Sequence, residues 1–582
     1  MHRSAGTFAM SGQPRQARAL AGLLALLVML ACAGPQASAP SGARNGSEQP
    51  TGAPKRIVIS IPNEPVVLYH PLAPTSSRGS AALVYDLVHP GLSALDSASG
   101  LTPLLVEAVP SVENGLWKVF DDGRMETTWQ LKPGVTWHDG TPLSTEDLAF
   151  TIQVSRDREL ATLRNRNYDL IEQLHSPDAR TVTVTWSRPF IDADQLFTLS
   201  LGLPLPKHLL EEPYTRDKAT FTELPYWTDA YVGLGPYKLS QWARGSHLIL
   251  SAFDGYVPGR PKIREIEARV MNEPNAMMAS FMGGALDLSR GAFLGVDQGL
   301  EMRERWNDGR VQAILNNWIV IYPQFLNANP PIVNNVQFRR AMLHAINREE
   351  MASTLMAGLV PMAHSPFPPD SREYRATERY LTKYDYDPRR TSQLLEGLGY
   401  SRGSDGLLRD AQGQPLSLEL RTTGHREIPV KSTFPVADAW GQLGVTVEPY
   451  IIPIQRVSDI ETQATFPAFL LVRTGFGIDR VWSFHSAEAR VAEKNYNGRN
   501  NGRYMNPELD AIIDRYWVTI PWDTRMDVVG QILAQITDQV ALLPLFYDMD
   551  IMLSSNRLLN ADAALRVAGA AQAWNAYDWD VK

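Results

Sequence analysis

The stretch Trp129–Thr151, WQLKPGVTWHDGTPLSTEDLAFT, restricts the possible folds more than any other part of the chain. Thr127–Leu131 reads as a strand, Pro133-Gly134 as a turn, Val135–His138 as a second strand and Asp139-Gly140 as another turn. A helix should follow. Ser144 can cap its N-terminus with Asp147 three residues on, and Leu148, Ile152 and Ser155 then fall on one face. By pattern alone this is a strand–strand–helix piece of an α/β core.

The remainder alternates in the same way. Arg56–Ile61, Thr181–Trp186 and Ile263–Val270 read as strands, and Val84–Leu95 as a helix and turn. Trp318–Asn327 is an apolar strand that ends at Asn329-Pro330-Pro331, a break where the chain can pass between lobes. Val336–Asn347 should be an amphipathic helix with Phe338, Met342, Ala345 and Ile346 on one side. Asn347 with Glu350 can cap the next helix, and the charges of this region, Arg339, Arg340 and Arg348 among them, read as a solvated helix face. Asp387-Pro388 and Asn506-Pro507 start two further helices. Leu418–Thr422 and Val445–Ile452 read as strands, and Leu542–Tyr547 as a last apolar strand. With 582 residues and 44% hydrophobic content the chain exceeds one ordinary domain, so two or more lobes are expected.

Several function classes lose support at this level. Net charge is −8 and no dense Lys/Arg run occurs, so nothing electrostatic favours a nucleic-acid partner. There is no Gly-x-Ser-x-Gly elbow, His-Glu-x-x-His or Walker loop. His138, His208 and His485 share no metal-ligand spacing, so neither a metal nor a cofactor is expected. Gly233 and Gly235 sit in Gly233-Leu234-Gly235-Pro236-Tyr237, where Pro236 and Tyr237 spoil a dinucleotide fingerprint, and tight backbone geometry explains the glycines better. A secreted hydrolase working through carboxylates is the alternative of a different class, but 63 acidic residues offer no identifiable pair.

The N-terminus reads as an address. Arg15 and Arg18 precede the apolar run Ala19–Ala31, too short to span a bilayer comfortably, and the chain's one cysteine, Cys32, follows directly. Val28-Met29-Leu30-Ala31-Cys32 resembles the lipobox of bacterial lipoproteins, which implies a diacylated Cys32 as mature N-terminus; the alternative is an incidental apolar cysteine in a cleaved peptide. Ala33–Pro54 is rich in Ala, Gly, Ser and Pro, reads as a flexible tether, and would hold an exported protein near its membrane. Residues 1–31 are thus expected to be a signal peptide and 32–54 a spacer.

Trp-x-Leu-x-Pro-Gly-Val-x-x-His-Asp-Gly-Thr-Pro-Leu with Glu146-Asp147 and Phe150-Thr151 closely resembles the signature of family 5 extracellular solute-binding proteins, the peptide- and nickel-type receptors of ATP-binding cassette (ABC) importers. Leu203-Pro204-Leu205-Pro206-Lys207-His208, the Gly233–Leu239 stretch, Gly283–Asp287 and Phe338–Glu350 are similar to further hallmarks, so the resemblance runs from about Ile57 to Trp579. It implies an α/β, two-lobed periplasmic-binding-protein fold of type II. Residues 55–318 with 544–582 would form one lobe and 319–543 the other, with ligand between them. It also implies a monomeric, non-enzymatic receptor in the cell envelope that delivers peptides, or another small solute such as a nickel chelate or oligosaccharide, to a permease. Peptide-binding members carry a Gly-Trp-x-x-Asp segment whose aspartate pairs with the ligand's α-ammonium. Here Gly475-Phe476-Gly477-Ile478-Asp479 matches in spacing, which makes Asp479 the expected anchor with Gly475, Phe476 and Trp482 around it. Arg480-Val481-Trp482 replaces the family's usual acidic, proline-containing continuation, and Asp479 bonded to nearby backbone is the plainer alternative.

Overall fold

A computed structural model describes residues 54–582 apart from 74–80, 96–99, 291–293 and 562–571. Cys32, the signal peptide and nearly all of the tether lie outside the described residues. The architecture is a ten-stranded mixed sheet flanked by helices, with a separate four-stranded antiparallel sheet that contains the Trp129 strand. Across the large sheet the order is Thr446–Ile452, Ser417–Thr423, Phe469–Gly475, Gly309–Pro323, Leu543–Ser555, Leu288–Ser289, Arg56–Ile61, Glu265–Val270, His247–Ala252 and Tyr237–Ala243. Two long antiparallel strands, Gly309–Pro323 and Leu543–Ser555, stand at its middle. They join the half built from residues 56–289 to the half built from 417–475. Their pairing slips between Leu315 and Asn317 and again between Ile319 and Val320, irregularities that bend and twist a ladder.

The signature stretch is a hub for its sequence neighbours. Ser144 accepts from the Glu146 amide, Asp147 returns a bond to the Ser144 amide at 2.9 Å, and the helix Thr145–Arg156 buries Leu148, Ile152 and Ser155. Asp147 also accepts from the Lys207 amide at 2.8 Å, and Asp139 from His208 at 2.7 Å, which fastens the Lys207–Arg216 helix to the signature. Val135–His138 is not a strand. It forms an isolated bridge only, Thr136 to Pro142, because the His138 backbone and ring are engaged elsewhere. The His138 amide donates to Gly233 O, its Nε2 donates to Gly235 O at 3.0 Å, and its Nδ1 accepts from the Gly233 amide. Burial pushes this imidazole down to about 4, so it is neutral, as these roles require.

Gly233 and Gly235 are close-approach glycines. A Cβ at Gly235 would stand 2.3 Å from Leu87 O, and one at Gly233 2.2 Å from Val88 O. Gly235→Ala should therefore force the end of the Ala82–Val88 helix aside and cost about 1–3 kcal/mol in denaturant unfolding; an unchanged midpoint would show that this helix end moves freely.

The charges near Val336–His344 do not form a solvated face. Arg339 is 2% exposed and Arg348 3%. Arg339 donates to the carbonyls of Val333, Gln539 and Val540, and Arg348 to those of Ala363, Pro544 and Tyr384. Val333 and Ala363 lie near these arginines in sequence, whereas Gln539, Val540 and Pro544 come from about 200 residues on, and carbonyls in the interior need a donor. Arg340, by contrast, is partly exposed and meets Asp538 at 2.6 Å.

Candidate functional site

The strand Phe469–Gly475 leads into the expected site. Phe469, Leu470 and Leu471 are buried against the sheet core, and burial relaxes toward Gly475. At its end Gly477 adopts φ +102, a conformation that suits glycine, and its amide donates to Pro366 O at 2.7 Å. The chain then turns into a single short helix, Ile478–Trp482. Asp479 thus stands in a helical first turn one corner beyond the strand. Its side chain is 62% exposed and lies 3.6 Å from Arg499, whose guanidinium covers the Trp482 ring at 4.7 Å from the centroid. Trp482 packs against Trp517 with centroids 5.4 Å apart, and Phe476 meets Tyr547 edge-on at 6.0 Å. Both aromatics are therefore seated in the protein while keeping part of their surface free.

Two carboxyls absent from the expected set share this neighbourhood. Asp192 and Asp194 follow the Thr181–Trp186 strand. Burial pushes Asp192 up to about 6, with Arg525 opposing and Asp479 adding to the rise. Asp194 is pushed up to about 7 by burial and then by Asp192, again against Arg525. Arg525 reaches them from the Trp522–Asp538 helix, where its Nη1 donates to Ile191 O at 3.4 Å, and Gln195 donates to Asp192 at 2.9 Å. Tyr516 feels both Asp192 and Asp479. Residues 192, 479, 516 and 525 are thus one electrostatic neighbourhood assembled from four separate segments.

Farther down the same strand, Arg473 is held by Asp548 and, at 2.8 Å, by Asp550 of Leu543–Ser555. Asn316 donates to Asp550 at 2.5 Å across the pairing irregularity. One guanidinium between two nearly buried carboxylates leaves an excess negative charge at the level of the crossing strands. Asp548 and Asp550 interrupt an otherwise apolar strand two residues apart, hence on one face, a signal the sequence did contain. Asp192 and Asp194 carried no such signal, since they sit in a loop after an ordinary strand. Asp479 and Asp192, within electrostatic reach of one another, can take up a positively charged group of a solute. Among the described residues no group of three or more His, Cys, Asp or Glu could hold a metal ion.

The profile of the bacterial extracellular solute-binding proteins, family 5 Middle, matches residues 107–490. A Brucella ovis protein named as an ABC transporter peptide-binding protein is 24% identical over 345 residues, 57% of this chain; the chain spans only 62% of that relative's length. The oligopeptide-binding protein AppA of Bacillus subtilis is 23% identical over 498 residues, covering 84% of this chain and 86% of its own. Its structure with a nonapeptide superposes with a TM-score of 0.64 at 19% identity over 91% of this chain and all of that one. NikZ of Campylobacter jejuni, solved with Ni(L-His), gives 0.70 at 19% identity over 91% of this chain and all of its own. At such identities the structures speak for the fold, a mixed α/β periplasmic-binding-protein fold.

Proposed function

The chain belongs to family 5 of the bacterial extracellular solute-binding proteins, a family of binding proteins, and on that premise we propose that it captures short peptides with a free ammonium group and delivers them to an ABC importer. The observation that carries this reading is that Asp479, on the short helix that also carries Trp482, lies within electrostatic reach of Asp192, which in turn raises Asp194. A desolvated ammonium needs such carboxylates, and aromatic walls tolerate varied side chains. Residues 55–318 with 544–582 would act as one lobe and 319–543 as the other, and bending of the two crossing strands would close them over the solute. Mass spectrometry of material that co-purifies with the protein tests this directly: peptides are expected, and a uniform non-peptide solute would overturn it. The replacement of the usual acid-proline continuation by Arg480-Val481-Trp482 favours, as second reading, a solute without an ammonium group, such as a metal chelate.

The raised carboxyls give this reading a pH signature. In the folded protein Asp192 and Asp194 hold protons up to pH values of about 6 and 7, above their ordinary range, so the folded chain binds more protons than the unfolded one between about pH 4 and 7, and stability should fall as pH rises through that window. A bound cation favours the ionised forms. Binding near pH 6.5 should therefore release protons, and affinity should weaken as pH falls below about 6. Calorimetry in buffers of different ionisation enthalpy measures the release. No proton exchange, with affinity constant down to pH 5, would remove both carboxyls from the site.

Localisation follows from the family's extracellular character, and we place the anchor at Cys32. Two acyl chains hold a protein at a membrane where one gives only marginal binding. Wild type should fractionate with membranes and Cys32→Ser should not, and labelling with a fatty-acid analogue separates acylation from retention of an uncleaved Ala19–Ala31 segment.

A further inference from the structure

We propose that a small monoanion, a halide or the end of a carboxylate, occupies the cavity beneath the Ile478–Trp482 helix, held by Arg480, Arg348 and the indole N–H of Trp318. The cavity measures about 20 Å³, above the roughly 10–15 Å³ that one water requires. Arg348, Arg480 and His364 line it, and no Asp or Glu does. Arg348 is 3% exposed and its bonds go to carbonyls alone. Burial brings its guanidinium down to about 10, which leaves it charged at neutral pH. The Arg480 Nε is buried without an acceptor. So is the Trp318 indole N–H, on a side chain only 1% exposed. His364 is held down to about 4, by burial first and then by Arg348 and Lys383, so the imidazole is neutral. Asp385 acts on Arg348 and, with Glu378, on His364, yet neither acid belongs to the lining.

Donors and positive charge thus converge where the protein supplies no anionic acceptor. The other walls are largely apolar, with Leu343, Val481, Phe484 and Leu533 among them. In such surroundings an unpaired charge is costly and an anion is bound correspondingly well. Arg480 is also where this chain departs from the continuation that the family resemblance leads one to expect. Its anion would brace, from below, the helix that carries Asp479.

Bromide is the probe. Crystals grown without halide, carboxylate or added solute and transferred to bromide should show an anomalous peak in this cavity. Arg480→Gln should abolish it, and Trp318→Phe, which keeps the shape and removes the donor, should weaken it. In solution the wild-type thermal midpoint should rise saturably as bromide is added to a buffer free of halide and carboxylate, and the rise should disappear with Arg480→Gln; if that variant fails to fold, Trp318→Phe carries the comparison. Displacement of bromide by trialanine but not by its C-terminal amide identifies the anion as a solute carboxylate, and persistence identifies a free ion. A cavity holding water only, or a peak unchanged in both variants, overturns the proposal.

Discussion

Asp479→Asn should weaken binding of a free-amine peptide by roughly thirtyfold or more while hardly changing binding of its N-acetylated form. The substitution keeps the side chain's size and removes its charge. Truncating one member of a desolvated charge pair typically costs about 2–5 kcal/mol, whereas altering a surface aspartate changes little, within about 0.5 kcal/mol. Asp479 is 62% exposed and faces Arg499 at 3.6 Å, so the large value requires that the solute displace Arg499 or that closure exclude water from the corner. Arg499→Gln is the informative companion, because it removes the competitor and should tighten binding in the wild-type background. The position of Asp192 and Asp194 adds a second contrast: if they take the ammonium instead, Asp479→Asn is mild and Asp192→Asn severe. Equal calorimetric affinity of Asp479→Asn and wild type for the natural ligand would falsify the anchor role.

Arg339→Met should lower unfolding free energy by about 3–5 kcal/mol, read as a shifted urea midpoint. Met retains an apolar stem but no donor. In wild type the guanidinium donates to Val333 O at 2.9 Å, to Gln539 O at 2.6 Å and to Val540 O at 3.1 Å, and it lies 4.6 Å from the Phe325 ring centroid. Burial brings the Arg339 pKa down to about 10, so the charge survives at neutral pH. Without it, the buried carbonyls of Val333 and Val540 and the part-buried one of Gln539 lose their donor. Val540 itself has φ +45, a strained geometry for a β-branched residue that needs surrounding bonds to persist. Arg339→Lys, with one compact ammonium in place of a planar fork, should recover only part of the loss. A change within about 1 kcal/mol for Arg339→Met would mean that these carbonyls find other partners.

Much of the architecture is legible in the sequence alone, and the reason is range. Ser144 with Asp147, Asn347 with Glu350, Asp387-Pro388 and Asn506-Pro507 act across three or four residues, so helix starts follow from chemistry that the local sequence carries whole. The strands Arg56–Ile61, Thr181–Trp186 and Ser417–Thr423 announce themselves by apolar content or alternation in the same way. The family resemblance rests on a stretch whose Asp139, Asp147 and His138 bind the 207–208 and 233–235 segments, so its most distinctive wording describes scaffold.

Tertiary structure decided the rest, because the deciding partners are far away in sequence. Val135–His138 has the composition of a strand, yet the His138 amide bonds Gly233, 95 residues on, and no strand forms there. Arg339 and Arg348 look like surface charges until the Gln539–Val540 and Pro544 carbonyls, some 200 residues later, accept their guanidinium hydrogens. Asp192 and Asp194 acquire raised pKa values only when folding buries them, with Asp479 adding to the rise of Asp192, Asp192 to that of Asp194, and Arg525 opposing both. Sequence by itself determined where elements begin and which family the chain resembles, since capping and periodicity are local. Which charges are buried, and which carboxylates gather beside Asp479, was set by burial and long-range contact alone.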